Sequence, residues 1–255
     1  MTERPRDLVG SLEKGLDVLA ILAARPAGMT LTEMAEAAAL TRAGARRLLL
    51  TLVATGFADQ DGRRFRLSPR LLTLARQWLD GTSLWAYAEP HMRNVAAELR
   101  ESCSAAVLSG TDVVYVARVP AERITSVALH VGTRLPAYCT SMGRVLLSGL
   151  PEPELRDLLS RSDVSKLTEK TVTARDELAG LVRRAGEEGF ALVDEELEIG
   201  LRSIAVPIRD RAGVIVAAVN VSTPSARHSP AAMRRDFLPL LRRAAESIEA
   251  YFALQ

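Results

Sequence analysis

The sequence predicts an α+β protein: an N-terminal winged helix-turn-helix, a linker helix, and a second α+β domain built on a mainly antiparallel sheet. Three observations carry that prediction. Between Thr30 and Thr55 two short helical patterns, joined by a tight connection, place three arginines on one side of the second. The pair Asp61-Gly62 stands between two short strand patterns directly afterwards, a strong signal for a hairpin. Beyond Ser102 the apolar spacing changes from helical to strand-like, and strands outnumber the helices that could cross over between them, which favours antiparallel pairing.

At 255 residues with 48% hydrophobic content the chain can bury two cores. The predicted boundaries are 1–69 for the winged helix-turn-helix, 70–85 for the linker helix and 86–255 for the second domain. A formal charge of +2 excludes a uniformly basic surface, so any affinity for polyanions has to come from a local cluster. No run of 18 apolar residues is present and the N-terminal MTERPRDLVGS has no apolar core of a secretion signal, so a cytoplasmic protein with no membrane association is expected. Cys103 and Cys139 have neither CxxC spacing nor nearby histidines, so they read as reduced packing thiols; no metal and no cofactor is expected.

The first helix is predicted from a Ser11 cap to Ala24, with Leu12, Leu16, Leu19 and Ala23 inward, and Pro26 with Gly28 ends it. The second starts at Thr30, with Glu33 three residues on to complete a capping box, and buries Leu31, Met34, Ala35 and Ala38. Leu40 closes the turn. Thr41 then caps a third helix whose apolar positions Ala45, Leu48, Leu49 and Leu52 fall at i, i+3, i+4 and i+7. On its opposite face Arg42 and Arg46 lie one turn apart with Arg47 beside them, at the end that a recognition helix inserts into the major groove. DNA contacts are therefore expected from Thr41, Arg42, Ala43, Arg46 and Arg47, and from Arg63 and Arg64 in the wing, where Arg66 adds charge. The plain alternative is a solvated charged face on an ordinary three-helix domain; the caps before and the hairpin after weigh against it.

A helical pattern from Arg70 to Leu84 carries Leu71, Ala75, Trp78 and Leu79 on one face and belongs to neither core, so it is expected to pair with a second subunit. A helix from Pro90 to Ser102 follows. Then come strands at Ala105 to Leu108 and Val113 to Val119 around the turn Ser109 to Asp112, and a strand at Val127 to Val131. Helices are predicted at Thr140 to Gly149, Glu152 to Ser160 and Arg175 to Glu188. Strands at Ala191 to Asp194, Arg202 to Arg209 and Val214 to Val221 precede a terminal helix from Pro230 to Phe252.

SLEKGLDVLAIL and LTEMAEAAALTRAGARRLLLTLVATGF in the first part, and GTRLPAYCTSMGRVLLSGL, GFALVDEELEIGLRSIAVPI and VAAVNVSTP in the second, resemble the IclR family of bacterial transcriptional regulators, in the family's order, from Gly10 to Phe252. LHVGTRLPAYCTSMGRVLL is similar to the subgroup that controls aromatic-acid breakdown through the β-ketoadipate pathway. The resemblance implies a ligand-responsive regulator that binds double-stranded operator DNA, and the stripe at Leu71, Ala75, Trp78 and Leu79 makes a homodimer or tetramer the expected form. It also implies a GAF-like effector domain, with the pocket between the sheet and the helix opening at Thr140. Carried over by position, the pocket residues are Ser141, Met142, Val193, Leu201, Ser203, Asn220 and Ser222. The residues agree in part, since Ser203, Asn220 and Ser222 are polar within apolar strands and Asn220 and Ser222 share a face; such groups otherwise satisfy one another. An aromatic acid such as protocatechuate or 4-hydroxybenzoate is the expected effector. Its carboxylate would lie at the N-terminus of the Thr140 helix with Arg134 as partner.

Two other readings stand beside this one. The first is a regulator of the same family that senses a small carboxylate of the glyoxylate or pyruvate type. The second is a hydrolase with Ser141 as nucleophile; it lacks a G-x-S-x-G motif and has only His91, His130 and His228 as candidate bases. Gly44 departs from the family, which commonly has a helix former there, at a cost of roughly 1 kcal/mol against Ala.

Overall fold

The structure, a computed structural model, describes residues 9–81, 84–121 and 129–253, with the backbone alone at 75, 76 and 78–81. The chain forms two compact units, Met1–Gly81 and Thr82–Gln255.

In the first unit, helix α1 (Gly10–Ala23) leads through a two-residue strand β1 (Met29–Thr30) into α2 (Leu31–Ala37) and α3 (Arg42–Ala54). The wing is β2 (Ala58–Asp61) and β3 (Arg64–Leu67), and α4 (Arg70–Gly81) closes the unit. Its core gathers Val18 and Leu22 of α1, Met34 and Ala35 of α2, Ala45 and Leu49 of α3, and Met29, Ala58 and Phe65 of the sheet. Three expectations change. Helix α1 begins after Val9 with no side-chain cap, and it buries Val18 and Leu22, whereas Leu12 and Leu16 are 62% and 58% exposed. β1 pairs with β3 through Met29↔Phe65 and Thr30↔Arg64, a strand too short for any periodicity to reveal. The wing turns on Gly62 and Arg63, one residue later than expected, because Asp61 is still paired with Arg64 and Gly62 supplies the positive φ of 58°.

In the second unit α5 (Leu84–Leu99) precedes the hairpin β4 (Ser102–Ser109) and β5 (Asp112–Val119) and the short strand β6 (Arg134–Pro136). Helices α6 (Ser141–Leu147), α7 (Glu152–Arg161) and α8 (Arg175–Glu188) follow, then strands β7 (Ala191–Asp194), β8 (Leu201–Arg209) and β9 (Ile215–Pro224). The chain ends with α9 (Pro230–Ala232), which passes through a π-helical turn, Met233–Phe237, into α10 (Leu238–Ala253). The six strands lie in the order β6-β5-β4-β9-β8-β7, and every pairing is antiparallel. By the two-residue period of the strands, one face carries Ala106, Ala205 and Ala218 against α6, all seven residues of which are buried. Helix α5 starts six residues before Pro90: the buried stripe Leu84, Trp85, Ala88, Met92, Val95 and Ala96 holds it helical across the proline. Of the strand expected at 127–131, residues 127 and 128 lie outside the described residues and 129–131 are not in a strand. The edge position belongs to β6 instead, paired to β5 through Val114↔Arg134 and Asp112↔Pro136.

Cys103 and Cys139 are free and buried, and burial pushes their thiols up to about 12 and about 11. Among the described residues no helix is long and apolar enough to cross a membrane.

Candidate nucleic-acid surface and ligand pocket

Each helix of the N-terminal pair is set by its cap. Glu33 N–H donates to Thr30 Oγ1 at 3.3 Å and Thr30 N–H to Glu33 Oε2 at 2.7 Å, so both halves of the capping box are present. Gly44 N–H donates to Thr41 Oγ1 at 3.1 Å, and a Cβ at position 44 would stand only 3.2 Å from that hydroxyl. Gly44 therefore leaves the cap of α3 uncrowded. From this start α3 buries Ala45 and Leu49 and turns Thr41, Arg42, Ala43, Arg46 and Arg47 to solvent. The guanidinium groups of Arg42, Arg46, Arg47 and Arg63 have no hydrogen-bond or ion-pair partner among the described residues. The other two wing arginines are engaged within the unit. Arg64 Nη1 donates to the Gly28 carbonyl at 3.0 Å and stands 3.9 Å from Glu33, and Arg66 pairs with Asp61 at 2.9 Å. Four uncommitted cations thus lie along the recognition helix and the tip of its wing, free for phosphate or groove contacts.

Helices α1, α3 and α4 leave an apolar groove lined by Leu12, Leu16, Leu48, Leu52, Leu71 and Leu74. Leu71 is half-buried in it. The side chains of Ala75, Trp78 and Leu79 lie outside the described residues.

The second unit holds a cavity of about 260 Å3 between α6 and the sheet. Thr140, Ser141 and Met142 form one wall, Val193 and Leu201 line it, and Ser203, Asn220 and Ser222 rise from β8 and β9. Register explains the convergence of the strand residues: Ser203 pairs with Ser222, and Ser222 with Ser102. A cavity of about 150 Å3 already holds benzene, so this one admits a substituted ring. Two buried polar atoms facing it, Ser141 Oγ and Asn220 Oδ1, have no hydrogen-bond partner among the described residues. In native proteins such atoms are rare and point to an absent partner.

Arg134 is not part of this site. It sits on the edge strand β6, where Nε donates to Asp112 Oδ2 at 3.1 Å and Nη2 to the Ser109 carbonyl at 2.8 Å, so its charge is spent on the β4–β5 turn. The N-terminus of α6 is also less open to a carboxylate than the sequence implied, because Thr140 Oγ1 takes the Gly143 N–H at 3.1 Å. Two cations do line the cavity, and the first is Arg118 of β5, with Tyr115 beside it. Its Nη1 and Nη2 donate to Ser104 Oγ at 3.3 Å and Ser102 Oγ at 3.4 Å, and it has no carboxylate partner among the described residues. Burial lowers its pKa, with Tyr115 acting in the opposite direction, while burial pushes the Tyr115 phenol up to about 12. Sequence reasoning missed Arg118, Ser102 and Ser104. The signal was the one used for Asn220, namely polar residues at period two within apolar strands. A second arginine at the cavity, Arg227, is neutralised by the buried Glu101 at 2.7 Å, which also accepts from Thr223 Oγ1.

The loop between β7 and β8 covers the cavity with Leu197, Glu198, Ile199 and Gly200. Its root is pinned by a buried ion pair, Arg144 Nη2 to Glu196 Oε2 at 2.6 Å, and by Thr168 and Thr171 hydroxyls donating to the carbonyls of Glu195 and Glu196, each at 2.6 Å. Among the described residues Ser141 Oγ has no hydrogen-bond partner and no histidine lines the cavity.

Residues 11–62 match the IclR helix-turn-helix domain, and residues 76–250 match the C-terminal domain of the bacterial transcriptional regulator IclR. The Pca regulon regulatory protein of Pseudomonas putida is 40% identical over 243 residues, covering 95% of this chain and 84% of that protein. A solved structure from Rhodococcus sp. RHA1 is 47% identical with a TM-score of 0.84, over 97% of this chain and 99% of that one. An IclR homologue of Microbacterium hydrocarbonoxydans, solved in complex with 4-hydroxybenzoate, is 28% identical with a TM-score of 0.83, over 96% of this chain and 100% of that one.

Proposed function

The chain belongs to the IclR family of bacterial transcriptional regulators, and from that premise we propose that it regulates an aromatic-acid catabolic operon in response to an acid of that pathway. The observation that carries the ligand half is the ring-sized cavity holding two buried polar atoms, Ser141 Oγ and Asn220 Oδ1, and an arginine, Arg118, for which the described residues supply neither hydrogen-bond partner nor carboxylate respectively. The similarity to a Pca regulon regulator and to a homologue that binds 4-hydroxybenzoate supports protocatechuate, 4-hydroxybenzoate or a related acid as effector. The ring would lie against Met142, Val193 and Leu201, with Ser141, Ser203, Asn220 and Ser222 meeting its polar substituents. The DNA half rests on Arg42, Arg46, Arg47 and Arg63, which are exposed and have no ion-pair partner among the described residues.

Residues 1–69, 70–85 and 86–255 would then serve as the DNA-reading, linking and effector-binding parts. A homodimer, or a pair of dimers, would read a pseudo-palindromic operator. Calorimetry with protocatechuate and 4-hydroxybenzoate, followed by gel-shift titration of an operator duplex with and without the acid that binds, tests the reading. It is lost if no aromatic acid binds, or if the bound acid leaves operator affinity unchanged.

A further inference from the structure

We propose that Arg118, flanked by Ser102 and Ser104, is the seat of the ligand carboxylate, and that Asn220 selects an aromatic acid bearing a ring hydroxyl on the side away from that carboxylate. The proposal rests on the effector reading above and names the chemistry of its ligand.

The strand register lays the two groups out in a row. Arg118 on β5 pairs with Ser104 on β4, and Ser104 pairs with Asn220 on β9, so one row crosses three strands. Neighbouring strands are about 4.8 Å apart, which puts the backbones of Arg118 and Asn220 about 10 Å from each other. The Arg118 side chain reaches back along the row, with its guanidinium over Ser104 and Ser102. Both residues line the cavity of about 260 Å3, which has room for one ring. A cation therefore lies toward one end of the cavity floor and an uncharged polar group toward the other.

The chemistry at each end is specific. At 3.3 and 3.4 Å the bonds from Arg118 to the two serines are long, and hydroxyls carry no charge to offset a half-buried guanidinium. A carboxylate supplies the charge and matches the planar fork with two parallel bonds. Arg227 cannot take this role without giving up Glu101, which is 4% exposed and would be left an unpaired buried anion. Arg134 is tied to Asp112 outside the cavity. On β9 Asn220 Oδ1 is an acceptor with no donor among the described residues. A phenolic hydroxyl donates to it and can also accept from the unpartnered Ser141 hydroxyl, whereas an unsubstituted ring leaves both unsatisfied.

The test is calorimetry on the full chain with 4-hydroxybenzoate, its neutral amide 4-hydroxybenzamide, and benzoate, which keeps the carboxylate and lacks the hydroxyl. Wild type is expected to bind 4-hydroxybenzoate roughly tenfold to hundredfold more tightly than either analogue, as loss of a charged or buried hydrogen-bond partner implies. Arg118→Gln should abolish the preference for acid over amide while Arg134→Gln retains it. Asn220→Ala should abolish the preference for 4-hydroxybenzoate over benzoate. Equal wild-type affinity for acid and amide, or an acid preference that survives Arg118→Gln, overturns the carboxylate seat. Equal wild-type affinity for 4-hydroxybenzoate and benzoate overturns the role of Asn220. The wild-type ratios decide both points by themselves if a variant does not fold. Failure of all three compounds to bind wild type would instead remove the effector reading on which the proposal stands.

Discussion

At Gly143 an added Cβ would stand 2.0 Å from the Ala137 carbonyl oxygen and 2.4 Å from its Cα, so helix α6 lies directly on the backbone of the turn before it. Backbone cannot rotate out of the way as a flexible side chain can. Gly143→Ala is expected to destabilise the C-terminal unit by about 3 kcal/mol, the upper range for overpacking, as read from urea denaturation. A wild-type midpoint would mean that α6 can lift from the turn. The adjacent Arg144 illustrates the opposite hazard. Arg144→Ala strands the carboxylate of Glu196 in a site where it is 9% exposed, and should cost about 3–5 kcal/mol, whereas replacing both partners by apolar residues should restore most of the loss. On the DNA side the separation between Arg63 and Arg64 is diagnostic. Arg63→Ala should weaken operator binding and flatten its salt dependence without changing stability, while Arg64→Ala should also lower stability, because Arg64 holds the Gly28 carbonyl. Gel shifts at two salt concentrations, read beside thermal melts, separate the two. Among Arg42, Arg46 and Arg47, any that reads a base should cost about 1–3 kcal/mol on replacement by Ala.

Among the elements, the capping box of α2 carries a pH signature. Glu33 is held below its ordinary pKa first by the backbone N–H of Thr30, then by the Thr30 hydroxyl, with lesser help from Arg64 and Arg25. A carboxyl whose folded pKa is depressed contributes stability above its unfolded pKa and loses that contribution as pH falls through the folded value. The stability difference between wild type and Glu33→Gln should therefore be flat at neutral pH and shrink on acidification through the carboxylate range; denaturation midpoints across that range check it, and a constant difference contradicts the assignment. Removing the hydroxyl instead, in Thr30→Ala, should cost about 1 kcal/mol at neutral pH. Helix α5 shows packing overriding local preference, since a buried stripe of six residues carries it through Pro90.

For the molecule as a whole, regulation requires the effector unit and the DNA-reading unit to share a coupling free energy, and that coupling is reciprocal. If 4-hydroxybenzoate changes operator affinity by some factor, typically about 5-fold to 150-fold, the operator must change 4-hydroxybenzoate affinity by the same factor. Calorimetry of the acid with and without a saturating operator duplex, set against gel shifts with and without the acid, measures both sides of the cycle. Equality of the two ratios is the expected result; a clear inequality would show that the acid acts elsewhere than at the site that controls DNA binding. Sedimentation should give a dimer or tetramer at micromolar concentration, and a monomer there would remove the basis for a two-fold operator.

The features that the sequence determined by itself are those whose interactions close within a few residues. The Thr30–Glu33 box and the Thr41 cap act over three residues, the turn at Gly110 rests on local backbone freedom, and the arginine face of α3 follows from helical period alone. The polar positions Ser203, Asn220 and Ser222 stood out for the same reason, against the two-residue period of their strands. Tertiary structure decided whatever depends on a distant partner. Which face of α1 is buried depended on how α2, α3 and the wing close over it, so Val18 and Leu22 went inward and Leu12 and Leu16 did not. Arg64 was engaged by a carbonyl 36 residues away. Arg118 falls in a strand pattern and Arg134 just past one, and neither position by itself shows which charge reaches the cavity. The edge position of β6 spent one charge on Asp112, while the pairing of β5 with β4 carried the other to the cavity beside Ser102 and Ser104, since strand register, unlike period, is set by contacts between segments far apart in the chain.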